Sequence, residues 1–250
     1  MLNEPTLDKL RSMRLSGMAD AWLAQQQDPD GSRLSFDERL ALLVDAEALY
    51  RENRRLKRLM RAAKLRIPGA CVEDLRCSPT RGLERDFVRQ LTGGRWLDEH
   101  RSLLITGKTG TGKTYVACAL AQHACRSGRT TLYRRLSLLL QEFMAARAAG
   151  TYSKLIRDLA RAELLVIDDW GIASLDEVAR RDLLELLDAR YDLASTVITS
   201  QLPVKNWHEY IGEPTVADAI LDRLVHNAFR LDLLGPSLRD GKPAAAGRTS

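Results

Sequence analysis

The sequence predicts an α/β fold in which a parallel β-sheet is wrapped by helices and follows a small all-helical segment. From Leu103 to Leu233, short apolar runs alternate with stretches of helical composition, which is typical of βαβ units. A glycine-rich stretch, Gly107–Thr114, joins the first of these runs to a helix. Residues 5 to 65, by contrast, show only the periodicity of helices.

The length and composition indicate a globular protein. The 250 residues can form one sizeable α/β core and a smaller appendage. No apolar run approaches the length that spans a bilayer, and the N-terminal region lacks the apolar core of a signal peptide, so we expect a cytoplasmic protein without a membrane partner. The excess of 38 Lys+Arg over 33 Asp+Glu is mild and matters only where the charge is clustered.

The stretch Gly107–Thr114 matches the pattern G-x-x-x-x-G-K-[ST] at every fixed position. The backbone N–H groups of such a loop, together with the N-terminus of the following helix, bind the phosphates of a nucleotide. Lys113 would neutralise these phosphates, and Thr114 would give its hydroxyl to Mg²⁺. A glycine-rich surface turn is the alternative, but the apolar run Leu103–Ile105 before the loop and the helix after it favour a nucleotide site. The predicted nucleotide-binding residues are Gly107, Lys108, Thr109, Gly110, Thr111, Gly112, Lys113, Thr114 and Tyr115.

Two carboxylates follow the apolar run Leu164–Ile167. Asp168 would hold Mg²⁺ directly or through water, and Asp169 would orient or activate the attacking water. A strand end that only caps the next turn is the alternative. A second apolar run, Thr196–Ser200, precedes Gln201. If its strand lies between the loop strand and the acidic strand, Gln201 or the serine before it reaches the γ-phosphate.

Arg223 lies in a predicted helix that ends near Ala228. It could pair with Asp218 or Asp222 of the same helix. It could also project into the nucleotide of a neighbouring subunit as an arginine finger. The spacing leaves both interpretations open.

A long helix should begin at the capping box Ser35–Glu38 and end before Pro68. Its second half is strongly basic, with Glu52 as the one acidic residue of that part of the sequence. A solvated helix face normally mixes both signs of charge, so this bias favours binding to a phosphate backbone with little sequence specificity. A helix that is merely solvated or paired within the chain is the alternative. The basic residues are Arg51, Arg54, Arg55, Lys57, Arg58, Arg61, Lys64 and Arg66.

Four phrases of the sequence resemble a known family: Leu15–Ala19, Leu164–Gly171, Thr199–Pro203 and Asp218–Asn227. With the phosphate loop, they are similar to AAA+ ATPases of the subgroup that contains the helicase loader DnaC and the insertion-sequence helper IstB. The chain most resembles the IstB-like ATP-binding proteins. The resemblance implies a P-loop NTPase core of the AAA+ type, without a C-terminal lid domain, and it implies ATP and Mg²⁺ as cofactors.

The resemblance also assigns roles to individual residues. Lys113 and Thr114 correspond to the Walker A pair, and Asp169 stands where the wider superfamily carries Glu. Gln201 falls at the sensor-1 position and Arg223 at the arginine-finger position, which favours the finger over an ion pair within the helix. The catalytic residues implied in this way are Lys113, Asp168, Asp169, Gln201 and Arg223, with Thr114 and Asp168 as metal ligands.

The same resemblance implies partners. The family carries an extra helix that follows DNA, and Leu136–Arg161 corresponds to it here. We therefore expect a bacterial ATPase that assembles on double-stranded DNA as an ATP-bridged homo-oligomer. It would recruit or stimulate a cognate transposase and aid target selection. The DNA-binding residues implied beside those of the basic helix are Arg134, Arg135, Arg147, Lys154 and Arg157.

The expected domain organisation is a helical DNA- or partner-binding domain at residues 1–67, a connector at 68–95, an ATPase domain at 96–238 and a disordered tail at 239–250. Three other functions stay open. A helicase loader of the DnaC type would capture a replicative helicase, and a small-molecule P-loop kinase would turn over ATP faster with its substrate. A nucleotide-dependent DNA scaffold would show no useful turnover.

Overall fold

The computed structural model describes residues 4–28 and 34–238. The tail predicted for residues 239–250 lies outside these described residues. The chain divides into two compact units, Met1–Arg58 and Leu59–Ser250. The division falls inside a long helix, earlier than the boundary after residue 67 that the sequence suggested, and the expected connector lies within the second unit.

The first unit is helical in the part that the structure describes, as its periodicity predicts. It contains α1 (Glu4–Ser12), α2 (Ser16–Gln27) and most of α3 (Phe36–Ala63). Helix α3 begins at the predicted capping box. The Ser35 N–H donates to Glu38 Oε2 at 2.8 Å, and the Glu38 N–H donates to Ser35 Oγ at 3.3 Å.

Helix α2 approaches α3 closely through Gly17. A Cβ atom at Gly17 would lie 2.5 Å from the Cβ of Tyr50, so any side chain there would push the two helices apart. One residue further on, the Met18 N–H donates to Glu47 Oε2 at 3.1 Å, and this carboxylate is buried. The negative charge of Glu47 therefore stabilises the N-terminus of α2, and the same side chain binds Arg51 Nε at 2.7 Å.

Helix α3 ends at Ala63, before Pro68 as the sequence predicts. The next residue, Lys64, has a φ of 51°, in the left-handed region that stops a helix. Two of the basic residues assigned to the helix, Lys64 and Arg66, therefore lie beyond it.

The second unit alternates strands and helices, as predicted for a βαβ fold. None of the helices in the described part of the chain combines the length and the apolarity needed to cross a membrane. The elements of the second unit that follow α3 are α4 (Arg85–Thr92), α5 (Arg95–Asp98), β1 (Ser102–Gly107), α6 (Lys113–Arg126), β2 (Thr131–Arg135), α7 (Leu136–Ala148), α8 (Tyr152–Arg161), β3 (Leu164–Trp170), α9 (Glu177–Asp188), β4 (Ser195–Ser200), α10 (Trp207–Ile211), α11 (Pro214–Val225) and β5 (Ala228–Leu233).

The strands form one parallel sheet in the order β2-β3-β4-β1-β5. This topology confirms the fold class predicted from the sequence. Strand β4 lies between β1 and β3, which was the condition for Gln201 to approach the phosphate loop. Because parallel strands all end at the same edge of a sheet, the loop after β1 and the polar residues at the ends of β3 and β4 meet there.

The helical stretch predicted from Leu136 to Arg161 is two helices, α7 and α8. Gly150 separates them with a φ of 67°, which glycine adopts without strain. The Thr151 N–H donates to Ala146 O at 2.8 Å and the Gly150 N–H donates to Arg147 O at 3.2 Å. These two hydrogen bonds close the C-terminus of α7 as a Schellman motif, so the chain turns before α8 begins.

A buried arginine ties the end of α8 to the start of β4. Arg190 is 1% exposed, and its guanidinium donates to Leu159 O and Ala162 O at 2.7 Å each and to Thr196 Oγ1 at 3.0 Å. It also donates to Ser195 O. One buried side chain thereby gives hydrogen bonds to carbonyl groups in the last turn of α8, just after α8 and at the first residue of β4.

We expect Arg190→Met to lower the free energy of unfolding by about 3–5 kcal/mol, because methionine fills the space but leaves several buried carbonyl groups without a donor. Urea denaturation, followed by the fluorescence of the buried Trp170 and Trp207, measures this loss. Arg181→Met is the matched control. Arg181 pairs with Glu177 on the exposed face of α9, so its replacement should change stability by less than about 0.5 kcal/mol. Equal stability of the two variants would contradict the role of Arg190.

Candidate functional site

The phosphate loop lies between β1 and α6, where the motif requires it. Gly107, Gly110 and Gly112 have φ values of 145°, 84° and 98°, which other residues adopt only with strain. A Cβ atom at Gly107 would also collide with the carbonyl oxygen of Leu233 on the neighbouring strand β5. The motif glycines are therefore dictated by the backbone path of the loop and by its close packing.

Lys113 opens α6, and its side chain folds back over the loop. The ammonium donates to Gly107 O at 2.7 Å and to Lys108 O at 2.8 Å, and the residue is 8% exposed. Its positive charge thus lies at the centre of the loop together with the helix N-terminus. This geometry provides a site for a phosphate group.

Asp168 lies at the end of β3 and is fully buried. The Thr114 hydroxyl donates to it at 3.0 Å from Oδ1 and 3.1 Å from Oδ2, and the hydroxyls of Tyr133 and Thr199 donate to it as well. Burial and the hydrogen bond to this carboxylate raise the pKa of Tyr133, so the phenol remains a donor. The structure therefore joins the predicted metal ligands Thr114 and Asp168.

Tyr133 and Thr199 were not predicted as site residues. They lie on β2 and β4, the two strands that flank β3. Their hydroxyl groups satisfy a carboxylate that would otherwise be costly to bury. The signal in the sequence was their position near the ends of these strands.

Asp169 lies at an irregularity in the pairing of β3 with β4, where its φ is 64°, and its N–H donates to Thr199 Oγ1 at 3.2 Å. Its carboxylate is partly exposed at the edge of the sheet. Two arginines meet it there: Arg135 Nε lies 3.0 Å from Asp169 Oδ2, and Arg66 Nη1 lies 3.5 Å from the same oxygen. Sequence patterns assigned both arginines to DNA-binding or basic surfaces, whereas the structure gives them carboxylate partners at the sheet edge.

Gln201 also reaches the loop. Its Oε1 accepts a hydrogen bond of 2.7 Å from Thr109 Oγ1, so the residue after β4 contacts the loop after β1. A cleft of about 500 Å³ brings these groups together. It is lined by Arg66, Ile67, Thr109, Gly110, Gly112, Lys113, Thr114, Tyr115, Asp169, Ile172, Gln201 and Leu238.

A second cavity of about 490 Å³ adjoins this cleft and shares Gly112, Tyr115 and Leu238 with it. Its other walls come from residues 74–81, in the stretch that the sequence suggested as a connector. Arg81 fixes this stretch to the loop, because its Nη2 donates to Thr111 O at 3.0 Å. Sequence reasoning missed this wall because it carries no fixed motif.

The chain beyond β5 also contacts the loop. The Leu238 N–H donates to Gly110 O at 2.9 Å, and a Cβ atom at Gly110 would collide with Ser237. The backbone of this segment therefore supports the outer side of the phosphate loop.

Arg223 is the predicted catalytic residue that the fold does not bring to this cleft. It lies in the last turn of α11, before β5, and its Nε and Nη2 each lie 2.7 Å from Oδ1 of Asp188, the last residue of α9. It therefore lies at the edge where the strands begin. A strand of six residues spans about 20 Å, so Arg223 cannot reach the phosphate loop of its own chain. Its partner is Asp188, in place of the Asp218 or Asp222 considered from the sequence.

Most of the predicted DNA-binding residues are exposed. On α3 they are Arg51, Arg54, Arg55, Lys57, Arg58 and Arg61, and on α7 and α8 they are Arg147, Lys154 and Arg157. Four of the predicted residues have acidic partners that the structure describes. Arg51 binds Glu47, Arg134 Nε lies 2.9 Å from Glu142, Arg135 faces Asp169, and Arg147 binds Asp182 while its guanidinium stacks 3.8 Å from the ring centroid of Tyr152.

Comparisons with known proteins agree with this geometry. The chain is 50% identical over 239 residues to the insertion sequence ATP-binding protein y4pL of Sinorhizobium fredii. The aligned region covers 96% of this chain and 97% of that protein. Its fold is similar to the crystal structure of the DnaC helicase loader (TM-score 0.55, 18% identity, 66% of this chain and 97% of that chain). It is also similar to AMPPCP-bound DnaA from Aquifex aeolicus (TM-score 0.56, 17% identity, 66% of this chain and 50% of that chain). The profile of the IstB-like ATP binding proteins matches residues 8–246. The chain therefore belongs to the IstB-like ATP binding protein family and has the fold of an AAA+ P-loop ATPase.

Proposed function

We propose that this protein is a Mg²⁺-dependent ATPase that assembles on double-stranded DNA and assists the transposition of an insertion sequence. It would do so by engaging a transposase and helping to select target DNA. The observation that carries the proposal is the convergence of Lys113, Thr114, Asp168 and Gln201 at one cleft, while Arg223 lies at the opposite edge of the sheet.

The residues at the cleft fit a magnesium nucleotide. Mg²⁺ prefers a small number of hard oxygen ligands and keeps several waters. Thr114 offers a hydroxyl and Asp168 offers carboxylate oxygens, and the two side chains lie side by side. Among the described residues no group of three or more His, Cys, Asp or Glu side chains forms a closed metal cage. When bound, Mg²⁺ would neutralise charge on the β- and γ-phosphates.

The other residues then have separate tasks. Lys113 would exchange its bonds to the loop carbonyls for the phosphates, and Gln201 would turn from Thr109 towards the terminal phosphate. Asp169 would orient the attacking water once its carboxylate is free of the two arginines. The nucleoside would occupy the adjoining cavity beside Tyr115.

Assembly follows from the position of Arg223. Since it cannot reach the loop of its own chain, its guanidinium would complete the nucleotide site only in a second copy of the protein. Binding between copies would then depend on ATP at the boundary. An arginine supplied in this way stabilises the charge that develops on the transferred phosphate.

DNA binding is proposed from the exposed basic residues. On α8, Lys154 and Arg157 lie one turn apart and have no acidic partner among the described ion pairs. On α3, the exposed arginines and lysine form a second cluster, and we assign residues 1–67 as the DNA- or partner-binding domain.

The transposase as a partner is inferred from the association of the relatives with insertion sequences. The likeness to DnaC rests on the fold alone, so a helicase-loading role has no separate support.

The hydroxyl of Thr114 should be required for the effect of Mg²⁺. In Thr114→Val, which keeps the shape but removes the ligand, the gain in ATP affinity on adding Mg²⁺ should fall by about tenfold or more. Titration of a fluorescent ATP analogue with Mg²⁺ and with EDTA measures this gain. Thr114→Ser keeps the hydroxyl and should retain it; equal gains in the two variants would exclude Thr114 as a ligand.

Arg223→Ala and Lys113→Ala should each abolish ATP-dependent assembly on duplex DNA in light scattering, and ATP hydrolysis should fall by at least about 100-fold. A mixture of the two variants should regain part of the hydrolysis, because an intact loop then meets an intact Arg223 from another copy. Asp188→Asn is the control, since it breaks the ion pair of Arg223 but leaves the guanidinium. If Asp188→Asn fails like Arg223→Ala, or the mixture stays inactive, the intersubunit site is wrong.

Replacement of Arg54, Lys57 and Arg58 together by Ala should weaken duplex binding and lower the slope of log affinity against log salt by about 2–3, because each lost phosphate contact removes about 0.9. Fluorescence anisotropy of labelled DNA at several salt concentrations gives this slope. The control replaces Arg181, Lys205 and Arg230, which are exposed elsewhere and change the net charge by the same amount. An equal loss in both triple variants would indicate a general charge effect instead of a site.

A further inference from the structure

Arg66 lies in the short stretch that follows α3, within the second unit. The residue before it, Leu65, is buried, so the backbone of this stretch is anchored. The side chain of Arg66 is 40% exposed and reaches the edge of the sheet. Its Nη1 lies 3.5 Å from Asp168 Oδ2 and 3.5 Å from Asp169 Oδ2, so one guanidinium bridges both carboxylates.

The same side chain faces the nucleotide cleft. Arg66 and Ile67 line that cleft together with Lys113 and Thr114. Arg66 and Arg135 are the cations paired with these two carboxylates in the part of the chain that the structure describes. Among these described ion pairs, that of Arg66 includes both carboxylates, whereas that of Arg135 includes Asp169. A guanidinium is always charged in proteins, so Arg66 presents a full positive charge to both carboxylates.

A divalent cation on Asp168 and the guanidinium of Arg66 cannot share the same small space. Thr114 donates to both carboxylate oxygens, Thr199 donates to Oδ1, and the Tyr133 hydroxyl and Arg66 approach Oδ2, so Arg66 lies where a cation would approach Oδ2. A cation placed beside Asp168 would also repel Arg66 strongly at this separation. The polyphosphate of a nucleotide would offer Arg66 a new anionic partner in the same cleft.

We propose that Arg66 competes with Mg²⁺ for Asp168 and moves onto the terminal phosphate when Mg²⁺ and ATP bind. This inference rests on the proposed function, because it requires the cleft to bind a magnesium nucleotide. Arg66 then has two effects of opposite sign. It raises the Mg²⁺ concentration needed to fill the site, and it favours ATP over ADP because only ATP carries the phosphate that it contacts.

The test uses the full-length protein and equilibrium binding of fluorescent ATP and ADP analogues over a series of free Mg²⁺ concentrations. In Arg66→Ala, the Mg²⁺ concentration at half-saturation should fall several-fold, and the preference for the ATP analogue should fall by about tenfold. Arg66→Lys keeps the charge but lacks the planar guanidinium. Its Mg²⁺ concentration at half-saturation and its preference for ATP should lie between those of Arg66→Ala and the parent. Circular dichroism and thermal unfolding of each variant identify any loss of folding.

Two control variants separate competition from general charge effects. Arg135→Ala removes a positive charge that contacts Asp169 but not Asp168, so it should move the Mg²⁺ midpoint less than Arg66→Ala does. Arg181→Ala, on the exposed face of α9, should leave both quantities unchanged. A folded Arg66→Ala with the Mg²⁺ midpoint and ATP preference of the parent would overturn the inference. If the parent itself gains no ATP affinity from Mg²⁺, the proposed function fails instead.

Discussion

The buried carboxylate of Asp168 is the interaction on which the candidate site depends. It receives hydroxyl hydrogen bonds from Thr114 on α6, from Tyr133 on β2 and from Thr199 on β4. A fully buried negative charge is costly unless it is paired or hydrogen-bonded, so these three elements are held in register with β3 by one side chain. This network also fixes the position of the phosphate loop, because Thr114 donates to Asp168 and is the last residue of the loop motif.

The direction of the sheet separates the functions of its two edges. The strand ends collect the phosphate loop, both carboxylates and Gln201, while the strand starts collect Arg190, Asp188 and Arg223. One edge therefore carries the cleft of the phosphate loop, and the other carries Arg223. In the intersubunit site proposed above, the contact between copies would be head-to-tail, since it would use different surfaces of the two copies.

The sequence was sufficient for the fold class, for the loop and for the carboxylates at the end of β3, because each depends on local pattern and on strand direction. The place of β4 between β1 and β3 remained a condition until the fold showed the strand order. It was not sufficient for the arginines. The sequence does not show which acidic residue a basic residue will contact in the fold. Arg66 and Arg135 were therefore assigned to basic surfaces, whereas the fold places them beside Asp169. The break at Gly150 could have been read from the glycine itself, whereas the wall formed by residues 74–81 depends on packing against α6 and has no pattern of its own.

The hydrogen bond from the Leu238 N–H to Gly110 O links the chain after the last strand to the geometry of the phosphate loop. Every strand of the sheet is complete at Leu233, so a protein shortened just after that residue would keep its sheet. It would nevertheless lose the segment that contacts the outer side of the loop and one wall shared by both cavities. The limit of the folded sheet and the limit of the functional nucleotide site are therefore different positions in this chain.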